Sequence, residues 1–159
     1  MTFIAGRYSV TYGAASMGQV QDGITVSHRH FKTLVTGDNF AQTPQDACFQ
    51  GAEMFVQYEL LEYDAAGVRA AIWPYDTTAL YSMVTTVGNF DVQNSLAKEL
   101  VLTAVANTPA STAPASITFG KVIIAEGFDV SLLFAPSLRT VPLRHRVYPN
   151  NQGLFGTVA

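Results

Sequence analysis

The sequence predicts a single mainly-β domain, and three observations carry that expectation. Apolar residues recur with a period of two over several stretches, turn-forming residues separate those stretches, and only one short segment has helical spacing. A length of 159 residues suits one domain that buries a core unaided. No internal repeat or second-domain boundary divides it, so one domain is expected over 1–159, ending in an arm at about 149–159.

The elements follow in order. An opening strand runs from Arg7 to Tyr12, and a glycine-rich turn spans Gly13 to Gly18. Asp22-Gly23 lies between β-forming runs and reads as a hairpin turn. Residues 24–36 are strong β-formers with mixed faces, which predicts a strand facing the core in one half and solvent or a neighbour in the other. Gly37-Asp38-Asn39 is a turn. Met54, Val56, Tyr58 and Leu60 then alternate with Phe55, Gln57, Glu59 and Leu61. A short helix is predicted over 64–73, with Asp64 as N-cap, Gly67 as a weak point and Pro74 forbidding continuation. Trp73 and Tyr75 follow as an aromatic clamp for packing that helix on the sheet.

Residues 96–106 and 117–125 read as strands rich in Val, Ile, Leu and Thr. Between them, 107–116 holds only Thr, Pro, Ala and Ser after Asn107, a linker or a loop that orders on assembly. Glu126-Gly127 predicts a second hairpin turn, leading into Phe128, Val130, Leu132 and Phe134 on one strand face. In the last strand Val141, Leu143 and Val147 share a face with His145, while Arg144 and Arg146 take the other. The tail from Pro149 is polar and glycine-rich except for Leu154 and Phe155. Those two are either a docking arm for a neighbour or a local fold-back.

Composition narrows the function. Hydrophobic residues make up 48% and charged residues 13%, against about 25% charged in typical soluble domains. A subunit that buries much of its surface against copies of itself needs less charge, because interfaces are depleted in it. A net charge of −3 leaves no basic footprint for gripping nucleic acid. A lone cysteine, Cys48, allows no intrachain disulfide and reads as a small buried filler. No basic stretch followed by an apolar run opens the sequence, and no apolar run reaches the ~18 residues that span a bilayer. A chain made in the cytoplasm, without a membrane segment, is the expectation.

Catalytic chemistry is sparse. His28-Arg29-His30 places two imidazoles on one side of a strand, yet no carboxylate follows before Asp38, and Arg29 and Lys32 are close in sequence. A polar strand face within a subunit interface is the reading. No Gly-x-Ser-x-Gly elbow and no phosphate-cradling glycine pattern occurs. Glu59 and Glu62 face opposite sides of one strand and form no dyad. No catalytic residue, cofactor or metal site is assigned, and an enzyme is not expected.

The succession of features has a counterpart. An opening strand (Arg7-Tyr8-Ser9-Val10-Thr11-Tyr12), a glycine turn (Gly13 to Gly18), Asp22-Gly23-Ile24, a long strand, the stretch Thr36 to Asp46, an extended strand introduced by Gly51 and ending Glu59-Leu60-Leu61-Glu62, and the close Pro142-Leu143-Arg144-His145-Arg146-Val147-Tyr148-Pro149 come in that order. This order resembles the tail tube (major tail) proteins of long-tailed bacteriophages; the Ala/Thr/Pro segment at 107–116 departs from it.

The resemblance implies a β-sandwich or half-barrel with one flanking helix, in hexameric rings whose inner strands join as one continuous barrel around a lumen. Rings stack through a long loop and terminal arms, and the tube conducts DNA into the host without recognising it. Partners are copies of the chain, the tape measure, terminator and baseplate proteins, and passing DNA; the location is the virion tail. Thr25, Ser27, His28, His30, Gln57 and Glu59 become candidate lumen or interface residues, and Leu154 and Phe155 the candidate assembly arm. The alternatives are another virion ring or surface component (terminator, baseplate or neck ring, capsid decoration) and a carbohydrate-binding β-sandwich using Trp73, Tyr75 and Tyr81.

Overall fold

The structure, a computed structural model, describes residues 8–17, 20–60, 65–75, 87–105, 114–131 and 140–159. Its strands are β1 (Tyr8–Tyr12), β2 (Ala15–Ser16), β3 (Val20–Thr36), β4 (Pro44–Leu60), β5 (Lys98–Ala104), β6 (Ser116–Ile124), β7 (Val141–Tyr148) and β8 (Gly156–Val158), with one helix, α1 (Ala65–Ile72), between β4 and β5. The mainly-β expectation holds. All eight strands belong to one antiparallel sheet in the order β2-β1-β5-β6-β7-β4-β3, with β8 pairing β6 beside that path. They are therefore not divided between the two stacked sheets of a sandwich.

The sheet curls. β1 and β3 stand five places apart in strand order and still touch, and side chains meet across the enclosed space. Tyr12 of β1 donates its hydroxyl to the Val122 carbonyl of β6 at 2.9 Å and lies 5.3 Å, centroid to centroid, from the His145 ring of β7. The core gathers inside this curve around Val10, Tyr12, Met17, Val56, Tyr58, Leu60, Leu100, Leu102, Phe119, Val122, Leu143 and Val147. Helix α1 approaches β1, β2 and β6 and contributes buried Ala71 and Ile72. Trp73 and Tyr75 stack edge to face at 5.2 Å just beyond it, which suits an aromatic end-stop.

β7 shows most plainly how pattern becomes packing. Val141, Leu143, His145 and Val147 are buried and the residues between them are not, because successive side chains point to opposite faces of a strand. The β1–β2 turn is tight, with Gly13 and Ala14 both at positive φ as a type I′ hairpin asks.

Several expectations need correction. Asp22-Gly23 is not a hairpin turn: it lies inside β3, where the register with β4 shifts between Gln21 and Ile24 and Gly23 takes φ +83°. An Asp-Gly pair serves a bulge as well as a turn, since both need positive φ. Gly127 does turn, at φ +67°, but residues 128–131 are not a strand; 132–134 lie outside the described residues, as do Asp64, Tyr81 and 107–113. Cys48 is exposed, not a buried filler. The tail folds back on its own chain. β8 pairs β6, the Ala159 amide donates to the Ser116 carbonyl at 2.9 Å, and Phe155 packs against the core while Leu154 stays outside.

Candidate functional site

β3 and β4 form an antiparallel hairpin of two 17-residue strands, paired from Val20 opposite Leu60 to Thr36 opposite Pro44. Among the described residues only its root has a third strand. β7 pairs β4 over residues 54–60, so beyond Met54 the hairpin has no further strand paired to it among them. The ribbon closes through Gly37 and a single 3-10 turn, Asp38–Phe40, and Asp46 Oδ1 accepts the Ala47 amide at 2.7 Å.

Alternation assigns the faces. Ile24, Val26, His28 and His30 pair with Tyr58, Val56, Met54 and Ala52, the side that carries the buried Val56 and Tyr58. Thr25, Ser27, Arg29 and Phe31 pair with Gln57, Phe55, Glu53 and Gly51, the side away from the core. Between Phe31 and Lys32 the register shifts. Gly51 takes φ +137° there, and the extra residue lets Phe49 come round beside Lys32 on the core-side face. His30 and Phe49 accordingly meet edge to face at 6.5 Å.

Past the bulge, neither face is covered. Leu34, Val35, Phe40 and Phe49 are 59%, 50%, 64% and 61% exposed, and Phe31 is open as well. With Val26, six of the eleven large apolar side chains exposed among the described residues belong to this hairpin. Apolar surface concentrated on one projection marks an interaction site, whereas scattered single residues do not. The outer edge of β3 has no strand beside it among the described residues, so its unpaired backbone groups are open to a further strand.

The structure does not bring the six sequence-predicted residues together. Thr25, Ser27 and Gln57 are exposed, and half-buried Glu59 shares their outward face; exposed His28 and His30 sit on the opposite one. Beside Gln57 lies a cluster the sequence reading left unassigned. Phe55 has the guanidinium of Arg144 at 4.2 Å and that of Arg146 at 4.6 Å from its ring centre. Arg146 also pairs with Glu53 at 3.2 Å and with Glu126. The hydrogen bond from Arg146 holds the Glu126 carboxyl below its ordinary range and keeps Arg146 charged. Placing Arg144 and Arg146 on one face was the only sequence signal for it; their meeting with Phe55 needs the β4–β7 register.

Below the root, His145 is fully buried. Its Nε2 meets the Tyr58 hydroxyl at 2.9 Å, and the two rings stack. Burial pushes His145 down to about 4 and both Tyr12 and Tyr58 well up, so the cluster is neutral at pH 7.

Elsewhere, an open depression of about 510 Å³ is lined by Asn89, Phe90, Asp91, Val92, Gln93 and Tyr148. The Tyr148 hydroxyl donates to Asp91 Oδ2 at 2.9 Å, and burial with that carboxylate raises Tyr148 to about 12. Among the described residues no three His, Cys, Asp or Glu side chains gather as metal ligands, and no helix is long and apolar enough to cross a membrane. No protein-family model matches the chain, and no curated protein matches it.

Proposed function

We propose that the chain is a structural subunit that assembles with copies of itself through the β3–β4 hairpin, and that the assembly is the tail tube of a bacteriophage. The carrying observation is the ribbon beyond Met54, with Phe31, Leu34, Val35, Phe40 and Phe49 uncovered on its two faces and tip. Eight residues of strand extend roughly 25 Å, enough to reach over a neighbour. A two-stranded ribbon is marginal alone in water, and covering its faces would stabilise it.

Three further features support the reading. The free β3 edge offers a sheet that can continue into another copy, as a closed barrel of rings requires. The low charge content fits a surface that is largely interface. The order of strands and turns resembles phage tail tube proteins, and from that resemblance come the hexameric ring, the stacking, the tape measure, terminator and baseplate partners, and the virion location. Thr25, Ser27, Gln57 and Glu59, on one face, form the candidate lumen strip; Arg144, opposite Gln57 on that face, lies over the Phe55 ring, and Arg146 beside it is paired with Glu53 and Glu126. His28 and His30 leave that strip and join the contact face of the hairpin.

Electron microscopy of the concentrated chain tests this: rings or tubes with a central hole are expected. Particles that stay monomeric at every concentration and with tail partners present would sink it. Rings that never stack would shift the assignment to a terminator, neck or baseplate ring.

A further inference from the structure

We propose that His28, His30 and Met54 form a copper-binding site on the core-side face of the hairpin, where it leaves the body of the sheet. His28 and His30 are two apart on β3, so both imidazoles project from one face, and their ring centroids stand 4.8 Å apart at 62°. A metal–nitrogen bond of about 2.0–2.1 Å from each ring needs donor nitrogens roughly 3 Å apart, which rings at that spacing reach by rotation about their own side-chain torsions. Met54 is the direct cross-strand partner of His28. Residues so paired share a face with Cβ atoms about 5 Å apart; Met54 is half-buried against the core, and its flexible side chain can swing the thioether towards the same ion.

The donor set decides the metal. Imidazole suits zinc, nickel and copper alike; a thioether favours Cu(I), and Cu(II) stands highest in the divalent affinity order. Water completes the coordination in the unassembled chain, where both histidines are exposed. The two cations near the histidines in sequence are not equivalent. Arg29 projects from the opposite face, over the Phe31 ring at 5.7 Å and across from Glu53. Only Lys32 shares the face, and from β4 that face receives Ala52, Met54 and Phe49, none of them charged. The site does not depend on the assembly reading.

The test uses untagged full-length chain in a Cys48→Ser background, which removes the exposed thiol as a competing ligand. Cu(II) is titrated calorimetrically and its nitrogen ligands are read by electron paramagnetic resonance. One saturable Cu(II) per chain is expected, with two imidazole nitrogens bound. His28→Ala and His30→Ala should each lower affinity about tenfold or more, because each removes the second, effectively intramolecular, ligand. Met54→Leu should weaken Cu(I), titrated anaerobically, several-fold. Copper binding that persists unchanged in both histidine variants would overturn the site. An unchanged Cu(I) affinity in Met54→Leu would overturn the thioether's part. Circular dichroism of each variant separates lost binding from lost fold.

Discussion

From Ile24 to His28 the β3–β4 ladder lies beside β7, with Val56 and Tyr58 buried; from Lys32 to Thr36 the same ladder has neither third strand nor covering layer among the described residues. Both halves pair by the same antiparallel ladder. What differs is apolar burial, and the difference teaches which term stabilises this fold. A backbone hydrogen bond contributes a net ~0.5–1.5 kcal/mol, much of it offset by about 1–2 kcal/mol of ordering entropy per residue. Burying a Leu or Val side chain adds about 1.5–3 kcal/mol, and only the root has that.

The sharpest way to break the comparison is a cavity under the root. Leu143 is fully buried, so Leu143→Ala should cost about 2–5 kcal/mol in urea denaturation. A loss below about 1 kcal/mol would mean the root is not packed as described.

Acid probes the same region. His145 sits at about 4 when folded and near 6.5 when unfolded, so between those values the unfolded chain holds a proton that the folded one refuses. Stability from this group is complete above pH 6.5 and declines as pH falls towards 4, by about 3 kcal/mol in all. Denaturation at pH 7, 5.5 and 4 should show the decline, and His145→Phe should remove that share of it. Parallel curves for both proteins would refute the buried neutral ring.

Gly51 marks the boundary between the halves. Its φ of +137° strains any other residue, and Gly51→Ala should cost on the order of 1 kcal/mol. That cost should fall on the tip: faster amide exchange over residues 32–46, with protection in β7 unchanged. Equal loss in both halves would show that root and tip unfold together.

The smallest expected effect is at the tip itself. Leu34→Ser with Phe49→Ser should change unfolding free energy by only about 0.5 kcal/mol, because both side chains are mostly exposed. Sedimentation of the same double variant should show self-association lost. Association at wild-type strength would remove the hairpin from the proposed contact.

Legibility varied with how local the deciding physics is. The β7 face with His145 among its aliphatics was readable because alternation is a property of the strand itself. Parity also separates Thr25 and Ser27 from His28 and His30, but which face meets the core depends on β7 and β1, distant in sequence. Asp22-Gly23 was misread because a bulge and a turn ask the same of their residues. Cys48 reads as filler, and is exposed because its stretch of β4 pairs only β3 among the described residues.

Composition and alternation alone therefore determined a mainly-β chain with little charge, strands near 7–12, 24–36, 54–61, 96–106, 117–125 and 141–147, and a histidine on an apolar face. Tertiary structure decided where burial stops. β7 ends at Tyr148, Pro149 has no amide to donate to a ladder, and the chain leaves β4 there to join β6 again as β8. The β-forming residues on either side of that point are alike in kind, and burial belongs to the neighbours a residue acquires, which no local stretch of sequence contains.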